Sequence, residues 1–214
     1  MSGLGKQAKT LNKAQIEMIS TYLRKKRNGL RNQTIFLLSV RAGLRAKEIA
    51  GLSWEMVLTP SGEISTCIHL TNQVSKGKSG GRIIPMHDSI RSNLSDLIDQ
   101  PVPNGAVIRS ERSDSVAPQM IVNLFKGWYS KLGLAGCSSH SGRRTFLTTT
   151  AQKISLVGGS LRDIQALAGH KSLQTTQRYI EANKEAQKQV IRLLWLPRTS
   201  AFLTPIGRLA FVNT

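Results

Sequence analysis

The stretch from His140 to Tyr179 reads HSGRRTFLTTTAQKISLVGGSLRDIQALAGHKSLQTTQRY. It contains a second histidine, His170, and an arginine three residues after the first histidine, Arg143. Side chains of these types bind phosphate, transfer protons and attack phosphorus. In a basic chain, this order of residues indicates chemistry on a nucleic-acid backbone.

Three helices are predicted within this stretch. The first has apolar residues at helical spacing, namely Phe146, Leu147, Ala151 and Ile154. Ser160 and Asp163 are predicted to cap the second, which ends at Gly169, because serine favours helix starts and glycine favours helix ends. Ser172 is predicted to cap the third, which carries Tyr179 on about its second turn.

The rest of the chain is also mostly helical in its pattern. Asn12 and Gln15 have the spacing of a capping box, in which each side chain binds the other residue's backbone N–H. The apolar periodicity then predicts helices over residues 32–42, 88–99, 117–132 and 181–195.

Strand patterns are few. Apolar residues alternate over residues 63–70, residues 82–85 are the predicted partner strand, and residues 107–108 are a candidate third strand. Between the first two lies the Gly-rich basic turn of residues 74–81. This turn is either a solvated hairpin tip or a loop that delivers a lysine into a groove. It is not a nucleotide-binding loop, because the full Gly-x-x-x-x-Gly-Lys-Ser/Thr motif is absent and no helix is predicted to follow. The predicted fold class is mainly α with a small antiparallel β-sheet (α+β).

The net charge is strongly positive. Thirty Lys and Arg residues against twelve Asp and Glu give +18 over 214 residues. Such a field favours polyphosphate as the partner, and a generic RNA-binding protein is the alternative. A membrane is disfavoured, because no stretch has the roughly 18 apolar residues of a spanning helix and no amphipathic stretch concentrates the basic residues.

Cysteine usage and the N-terminus indicate a compartment. Cys67 and Cys137 lie in no Cys-x-x-Cys pair and have no zinc-site spacing with the four histidines. A reducing cytosol is therefore the better expectation than an oxidising one. The first residues lack the apolar run of a signal peptide. A soluble cytoplasmic protein is predicted.

Arg45 lies at a predicted corner between two helices, since Gly43 ends one helix and the next begins within two residues. A buried arginine requires a partner, because an unpaired buried charge is costly. Two interpretations remain open. Either Arg45 and Glu48 form a structural ion pair, or Glu48 orients Arg45 while the guanidinium faces an external phosphate.

Over roughly residues 10 to 190, the chain resembles the tyrosine recombinases, also called phage-type integrases. Gly43 to Glu48 is similar to the first arginine box of that family, and Lys76 lies in the hairpin where the family has its catalytic lysine. His140 to Arg143 is similar to the second box and Gly169-His170 to the third. Tyr179 follows nine residues after His170, as in the family. Each match alone is weak, but five in this order are a strong signal.

The resemblance implies a site for cutting and rejoining DNA. Arg45 and Arg143 would grip the phosphate oxygens and stabilise charge in the transition state, and His170 would hydrogen-bond the phosphate. Tyr179 would attack phosphorus, assisted by His140. This assistance matters because ionising a free phenol at pH 7 costs about 4 kcal/mol. Lys76 would donate the proton to the leaving 5′-oxygen.

No cofactor is expected. The absence of an Asp/Glu cluster suited to two metal ions favours a metal-free reaction, and a covalent intermediate conserves the energy for rejoining without a nucleotide. Three of the site residues also have a structural interpretation. Tyr179 would then be a half-buried aromatic, His170 a side chain that satisfies helix carbonyls, and His140 a cap or loop residue.

The sequence departs from the family pattern in three places. Gly142 stands where the family usually has leucine, which is expected to loosen the local packing. Lys78 is an alternative to Lys76 as the catalytic lysine. No separate DNA-clamping domain precedes the first box. This short layout is similar to recombinases that invert fimbrial promoter switches, and a truncated integrase from a mobile element is an equal alternative. The predicted organisation is a basic arm (1–11), one catalytic domain (12–196) and a C-terminal tail (197–214).

The predicted function is therefore site-specific DNA recombination, by integration, excision or inversion, through a 3′-phosphotyrosine intermediate, with a mobile element as one setting. The expected partner is double-stranded DNA, bound by a homotetramer across two sites with accessory DNA-bending proteins. The expected location is the nucleoid of a prokaryotic host. Two alternatives are a non-catalytic DNA-binding relative and a type IB topoisomerase, which shares a similar set of residues.

Overall fold

The computed structural model of the chain describes residues 7–74, 81–98, 104–179 and Ile191. Its elements follow in the order α1 (Lys13–Arg24), α2 (Gly29–Ala42), α3 (Ala46–Ala50), β1 (Cys67–Leu70), β2 (Arg82–Pro85), α4 (Asp88–Leu97), α5 (Pro118–Lys131), α6 (Ser141–Lys153), α7 (Leu161–Ala168) and α8 (Leu173–Gln177). Short 3₁₀ turns cover Trp54–Met56 and Ile154–Val157. The predicted mainly α fold with a small antiparallel sheet is confirmed.

Helix α2 is the centre of the main core. It packs against α1, α4 and α6, and apolar side chains such as Ile35, Phe36 and Leu38 are fully buried along it. The helix begins three residues before the predicted start. Asn28, in the left-handed conformation with φ of 56°, turns the chain directly from α1 into α2. Asparagine tolerates this backbone conformation better than most residues.

The predicted helix boundaries agree closely elsewhere. Asn12 and Gln15 form the predicted capping box of α1, and Gly43 and Gly169 end their helices with φ of 66° and 60°. Ser160 and Asp163 form a capping box at α7, and Ser172 caps α8. None of the described helices has the length and apolarity to cross a membrane.

The sheet is smaller than the alternating pattern predicts. Strands β1 and β2 pair antiparallel, with Cys67 opposite Pro85 and Leu70 opposite Arg82. The first half of the predicted strand is not part of this sheet, because Ile64 instead forms an isolated bridge with Leu58. Residues 107–108 form no strand. They are buried core residues, and the Val107 N–H donates to the Leu52 carbonyl at 2.8 Å.

The described end of the predicted arm is not loose. The Lys9 N–H donates to the Gly136 carbonyl at 3.0 Å, and the Leu11 N–H donates to Thr145 Oγ1 at 2.8 Å. Leu11 is buried in the main core. Arg144 also donates to the Ala8 carbonyl at 3.1 Å. These bonds attach residues 8–11 to the body of the domain.

A second, smaller core lies beside the main one. Among the described residues, its buried members are Leu147 of α6 with Ile164 and Ala168 of α7. Phe146 and Tyr179 are partly buried against it. We call these five residues the satellite core. Through this core, the segment that carries Tyr179 packs against α6.

Several predictions fall outside the described residues. They are the helix of residues 181–195, the C-terminal tail and the lysine-bearing turn between the strands. The described chain up to Tyr179 belongs to one compact unit, whose limits are Met1 and Ile180. The division into arm, catalytic domain and tail stays a prediction.

Candidate active site

One cleft of about 410 Å³ brings together five of the six predicted site residues, namely Arg45, His140, Arg143, His170 and Tyr179. These residues come from the corner before α3, the start of α6 and the segment after α7. The sixth, Lys76, and its alternative Lys78 lie outside the described residues. Four basic side chains and one phenol thus face a common space.

Arg143 is the most deeply buried cation of the cleft, with only 5% of its surface exposed. Its guanidinium donates to the Gly43 carbonyl at 2.5 Å and to the Ala168 carbonyl at 2.6 Å. Burial, and next the charge of Arg45, lower the pKa of Arg143 to about 9. The side chain therefore remains protonated at neutral pH. It also ties the end of α2 to the end of α7.

Arg45 makes an ion pair with Glu48 and still faces the cleft. Its Nη1 lies 2.8 Å from Glu48 Oε1, and its backbone N–H donates to Glu48 Oε2 at 2.8 Å. The Arg45 side chain is 25% exposed, whereas that of Glu48 is 1% exposed. Glu48 therefore orients an arginine that lines the cleft. The contact of Arg45 with an external phosphate stays a prediction.

His170 is held by partners on both ring nitrogens. Arg143 Nη2 lies 3.2 Å from its Nε2, and Thr176 Oγ1 lies 3.0 Å from its Nδ1. Because arginine only donates, Nε2 accepts and the proton is on Nδ1. Burial, and then the charges of Arg143, Arg45 and Arg82, lower the pKa of His170 to about 4. The ring is thus neutral at neutral pH.

Tyr179 packs against His170. Their ring centroids are 5.8 Å apart and their planes differ by 17°, an offset stack of the kind that aromatic rings favour. The Tyr179 N–H donates to the Thr176 carbonyl at 3.0 Å. Tyr179 therefore lies in a turn just after α8, which ends at Gln177, and not on the second turn of a helix as predicted.

His140 is the N-cap residue of α6 and is exposed at the cleft. Its side chain makes no capping hydrogen bond, so His140 occupies the N-cap position and its ring is not engaged by the helix. Arg143 and Arg144 of the first α6 turn also line the cleft. The N-terminus of a helix carries partial positive charge, which favours an anion at this place.

Gly142 does not loosen the packing, contrary to the sequence-based expectation. It is buried, and a Cβ atom built on it would overlap Ser39 Oγ of α2. Helix α6 therefore approaches α2 closely at the residue before Arg143. A leucine would not fit in this arrangement.

Sequence reasoning missed three supporting residues. Arg82, predicted only as a strand residue, pairs with the buried carboxylate of Glu48. Thr176 binds the His170 ring, and Gln165 Nε2 donates to the His170 carbonyl at 3.0 Å. The only sequence signal for Thr176 and Gln165 is their closeness to His170 in the chain. Within the described ranges, no three His, Cys, Asp or Glu side chains are grouped as a metal site.

Known proteins resemble the chain in sequence. Residues 9–186 match the sequence profile of the phage integrase family. The tyrosine recombinase XerA of Pyrococcus horikoshii is 30% identical over 169 residues, which cover 77% of this chain and 55% of the relative. The tyrosine recombinase XerC of Herpetosiphon aurantiacus is 26% identical over 164 residues, covering 73% and 50%. The chain thus spans about half the length of the curated relatives that it matches.

Similarity of fold is also clear. The Tn1549 transposon integrase, solved in complex with transposon right end DNA, superposes with a TM-score of 0.69 at 17% identity, covering 91% of this chain and 68% of that chain. The fold comparison and the cleft agree with the sequence profile, which covers most of the chain. We conclude that this protein belongs to the phage integrase family, the tyrosine recombinases.

Proposed function

We propose that the protein is a site-specific DNA recombinase that cleaves and rejoins strands through Tyr179. The single observation that carries this proposal is the stack of Tyr179 on His170 beside the buried Arg143, in a cleft that Arg45 and His140 also line. A phosphodiester placed there would meet Arg45, Arg143 and the phenol of Tyr179. The relatives' names support the same activity.

In the proposed first step, Tyr179 Oη forms a bond to phosphorus and the bond from phosphorus to the 5′-oxygen breaks. The phenolic proton passes to His140, which is exposed at the cleft and free of a capping bond. The leaving 5′-oxygen takes a proton from Lys76, or from Lys78. The products are a 3′-phosphotyrosyl protein and a 5′-hydroxyl, and the attack of another 5′-hydroxyl reverses the step.

Arg45 and Arg143 supply the positive charge that stabilises the transition state. Both are fixed before DNA arrives, one by Glu48 and the other by two backbone carbonyls. Preorganised charges of this kind need little reorganisation during the reaction. To donate to the phosphate, the neutral His170 must gain a proton on Nε2 and give up the hydrogen bond that this nitrogen accepts from Arg143. An incoming anion favours that proton, because nearby negative charge raises the pKa of histidine.

Double-stranded DNA is the proposed substrate, since the net charge of +18 favours it and the integrase with a similar fold was solved with transposon DNA. A homotetramer on two sites, accessory DNA-bending proteins and a location on the nucleoid are parts of the same proposal. The relatives are named recombinases, which favours this activity over the type IB topoisomerase.

The test is capture of the covalent intermediate. The protein is incubated with nicked duplexes whose sequence is randomised around the nick, and adducts that survive SDS are recovered and mapped by mass spectrometry. We expect an adduct on Tyr179 that is lost in Tyr179→Phe while DNA binding is retained. Tyr22→Phe, on α1 beneath the Lys26 ammonium, is the matched control and should leave the adduct unchanged.

Other outcomes favour other functions. An adduct that persists in Tyr179→Phe rejects this nucleophile. Binding without any adduct in the wild-type protein indicates a non-catalytic DNA-binding relative. Relaxation of supercoiled plasmids that lack the selected sequence indicates a topoisomerase.

A further inference from the structure

We propose that Arg82 is a positioning residue that keeps the positive charge of Arg45 available to the scissile phosphate by neutralising Glu48. The inference rests on the proposed function, since it concerns the same site. Arg82 would not touch the DNA. It would act through the carboxylate that also holds Arg45.

The contacts that carry this inference surround one buried carboxylate. Arg82 Nη1 lies 2.8 Å from Glu48 Oε1, and Arg82 Nη2 lies 2.9 Å from Glu48 Oε2. On the other side, Arg45 Nη1 lies 2.8 Å from the same Oε1 atom. The exposed fractions of the Glu48 and Arg82 side chains are 1% and 9%. Glu48 is therefore shared between an inner and an outer arginine.

We call Arg45, Glu48 and Arg82 the triad. Its net charge decides how strongly it attracts a phosphate in the cleft. Glu48 and Arg45 alone would sum to zero, and an arginine paired in this way attracts a phosphate weakly. With Arg82 included, the three side chains have a net charge of +1. Arg82 thus allows Glu48 to orient Arg45 without cancelling its field.

The ionisation of neighbouring groups agrees with this account. Burial acts to raise the pKa of Glu48, but the hydrogen bonds and charge of Arg82, followed by those of Arg45, outweigh it and lower that pKa. Glu48 is therefore ionised at neutral pH. After burial and Arg45, Glu48 and Arg82 also change the pKa of Arg143, in opposite directions. The charges of the triad therefore also act on Arg143, the second arginine of the cleft.

Arg82 also supports the third box. A Cβ atom built on Gly169 would lie 2.7 Å from Arg82 Nη1, so the guanidinium packs directly against the residue before His170. Gly169 ends α7 with φ of 60°. Arg82, at the start of β2, therefore contacts both the residue that orients Arg45 and the backbone that leads to His170.

The experiment measures the rate of covalent adduct formation on a nicked duplex recovered with the wild-type protein from the randomised pool. Arg82→Gln is expected to lower this rate on the order of tenfold, less than the loss of a donor that touches the phosphate. Replacing one non-bridging oxygen of the scissile phosphate by a methyl group gives a neutral diester. On this methylphosphonate, Arg82→Gln should lose much less activity relative to wild type.

A second variant separates charge from packing. In Glu48→Gln/Arg82→Gln both charges are removed, and the net charge around Arg45 returns to +1. We expect this double variant to form adduct faster than Arg82→Gln alone. A merely structural role for Arg82 predicts additive losses instead, and equal losses on the charged and neutral diesters.

Controls keep the outcomes distinct. Arg24→Gln removes one cation from an exposed pair with Asp96 and should leave the adduct rate unchanged, while thermal unfolding reports whether Arg82→Gln folds. If wild type forms no adduct, the proposed function fails and this inference fails with it. The inference alone is overturned if wild type reacts and Arg82→Gln matches it, or if the double variant is slower than Arg82→Gln.

Discussion

The two cores of the molecule hold different parts of the site. The main core, built around α2, fixes Arg45 and one end of Arg143. The satellite core carries Tyr179 and the end of α7 that precedes His170. A small core buries little apolar surface, and regions with few buried contacts open locally at low free energy. We therefore expect Arg45 and Arg143 to be more firmly fixed than Tyr179, the proposed nucleophile.

Arg143 links the main core to the satellite core through its hydrogen bonds. One of its hydrogen bonds goes to Gly43 at the end of α2 and another to Ala168 at the end of α7. A Tyr179 side chain that can shift while Arg45 and Arg143 stay in place suits the in-line attack on phosphorus that we propose for it. The comparison teaches that stability and activity need not depend on the same residues.

The largest expected effect comes from one leucine in each core. Leu38 and Leu147 both have no exposed surface. Leu38→Ala should lower the free energy of unfolding by about 3 kcal/mol, measured by urea denaturation, with a nearly normal adduct rate in the folded fraction. Leu147→Ala should lower it by about 2 kcal/mol but reduce the adduct rate on the order of tenfold.

The comparison of the two cores fails if Leu147→Ala does not form adduct more slowly than Leu38→Ala. Equal rates for the two variants would mean that the satellite core does not position Tyr179. In that case the stack on His170 alone would hold Tyr179.

The junction between the regions gives an intermediate effect. Gly142→Ala should lower the free energy of unfolding by about 2 kcal/mol, because the added methyl group overpacks the contact of α6 with Ser39. The matched control is Gly127→Ala in α5, where a Cβ atom would meet nothing within 4 Å. That change should raise stability by about 0.5 to 1 kcal/mol. Thermal and urea unfolding measure both, and a stabilising Gly142→Ala would contradict the close approach.

The smallest expected effect is a pH dependence of stability that comes from His170, next to the satellite core. The pKa of His170 is about 4 in the folded protein, against about 6.5 in an unfolded chain. Between these values the unfolded state binds a proton that the folded state does not, so stability falls as pH decreases from 6.5 towards 4. The full shift corresponds to about 3 kcal/mol, and partial exposure of the ring reduces the expected loss to about 1 kcal/mol.

Urea unfolding at pH 4.5 and pH 7 measures this loss. His170→Gln should remove it, whereas His69→Gln, exposed on β1, should not. If the free energy of unfolding of His170→Gln still falls between pH 7 and pH 4.5 as in the wild type, the pH dependence comes from other groups.

Local signals in the sequence predicted most of the helical framework. Capping boxes and helix-ending glycines depend on residues a few positions apart, so Asn12, Ser160, Gly43 and Gly169 were identified without tertiary information. The family resemblance named the five residues that share the cleft. Their roles, and the choice between Lys76 and Lys78, remain predictions.

Contacts between residues that are far apart in the chain could not be predicted from the sequence. Arg82 and Glu48 are 34 residues apart, and no local pattern indicates that a strand arginine binds a helix carboxylate. The close approach of Gly142 to Ser39 depends in the same way on two helices meeting. The strand pattern of residues 63–70 was too long because Ile64 alternates correctly but pairs elsewhere.

The attachment of residues 8–11 has a practical consequence for the choice of affinity tags. Gln7 and Ala8 line the candidate active-site cleft, and Arg144 holds the Ala8 carbonyl there. A fusion partner joined just upstream of residue 7 would start its path at the cleft wall. Bulky or acidic tags at that position should compete with the proposed DNA substrate for the basic surface, and cleavable tags are the safer choice.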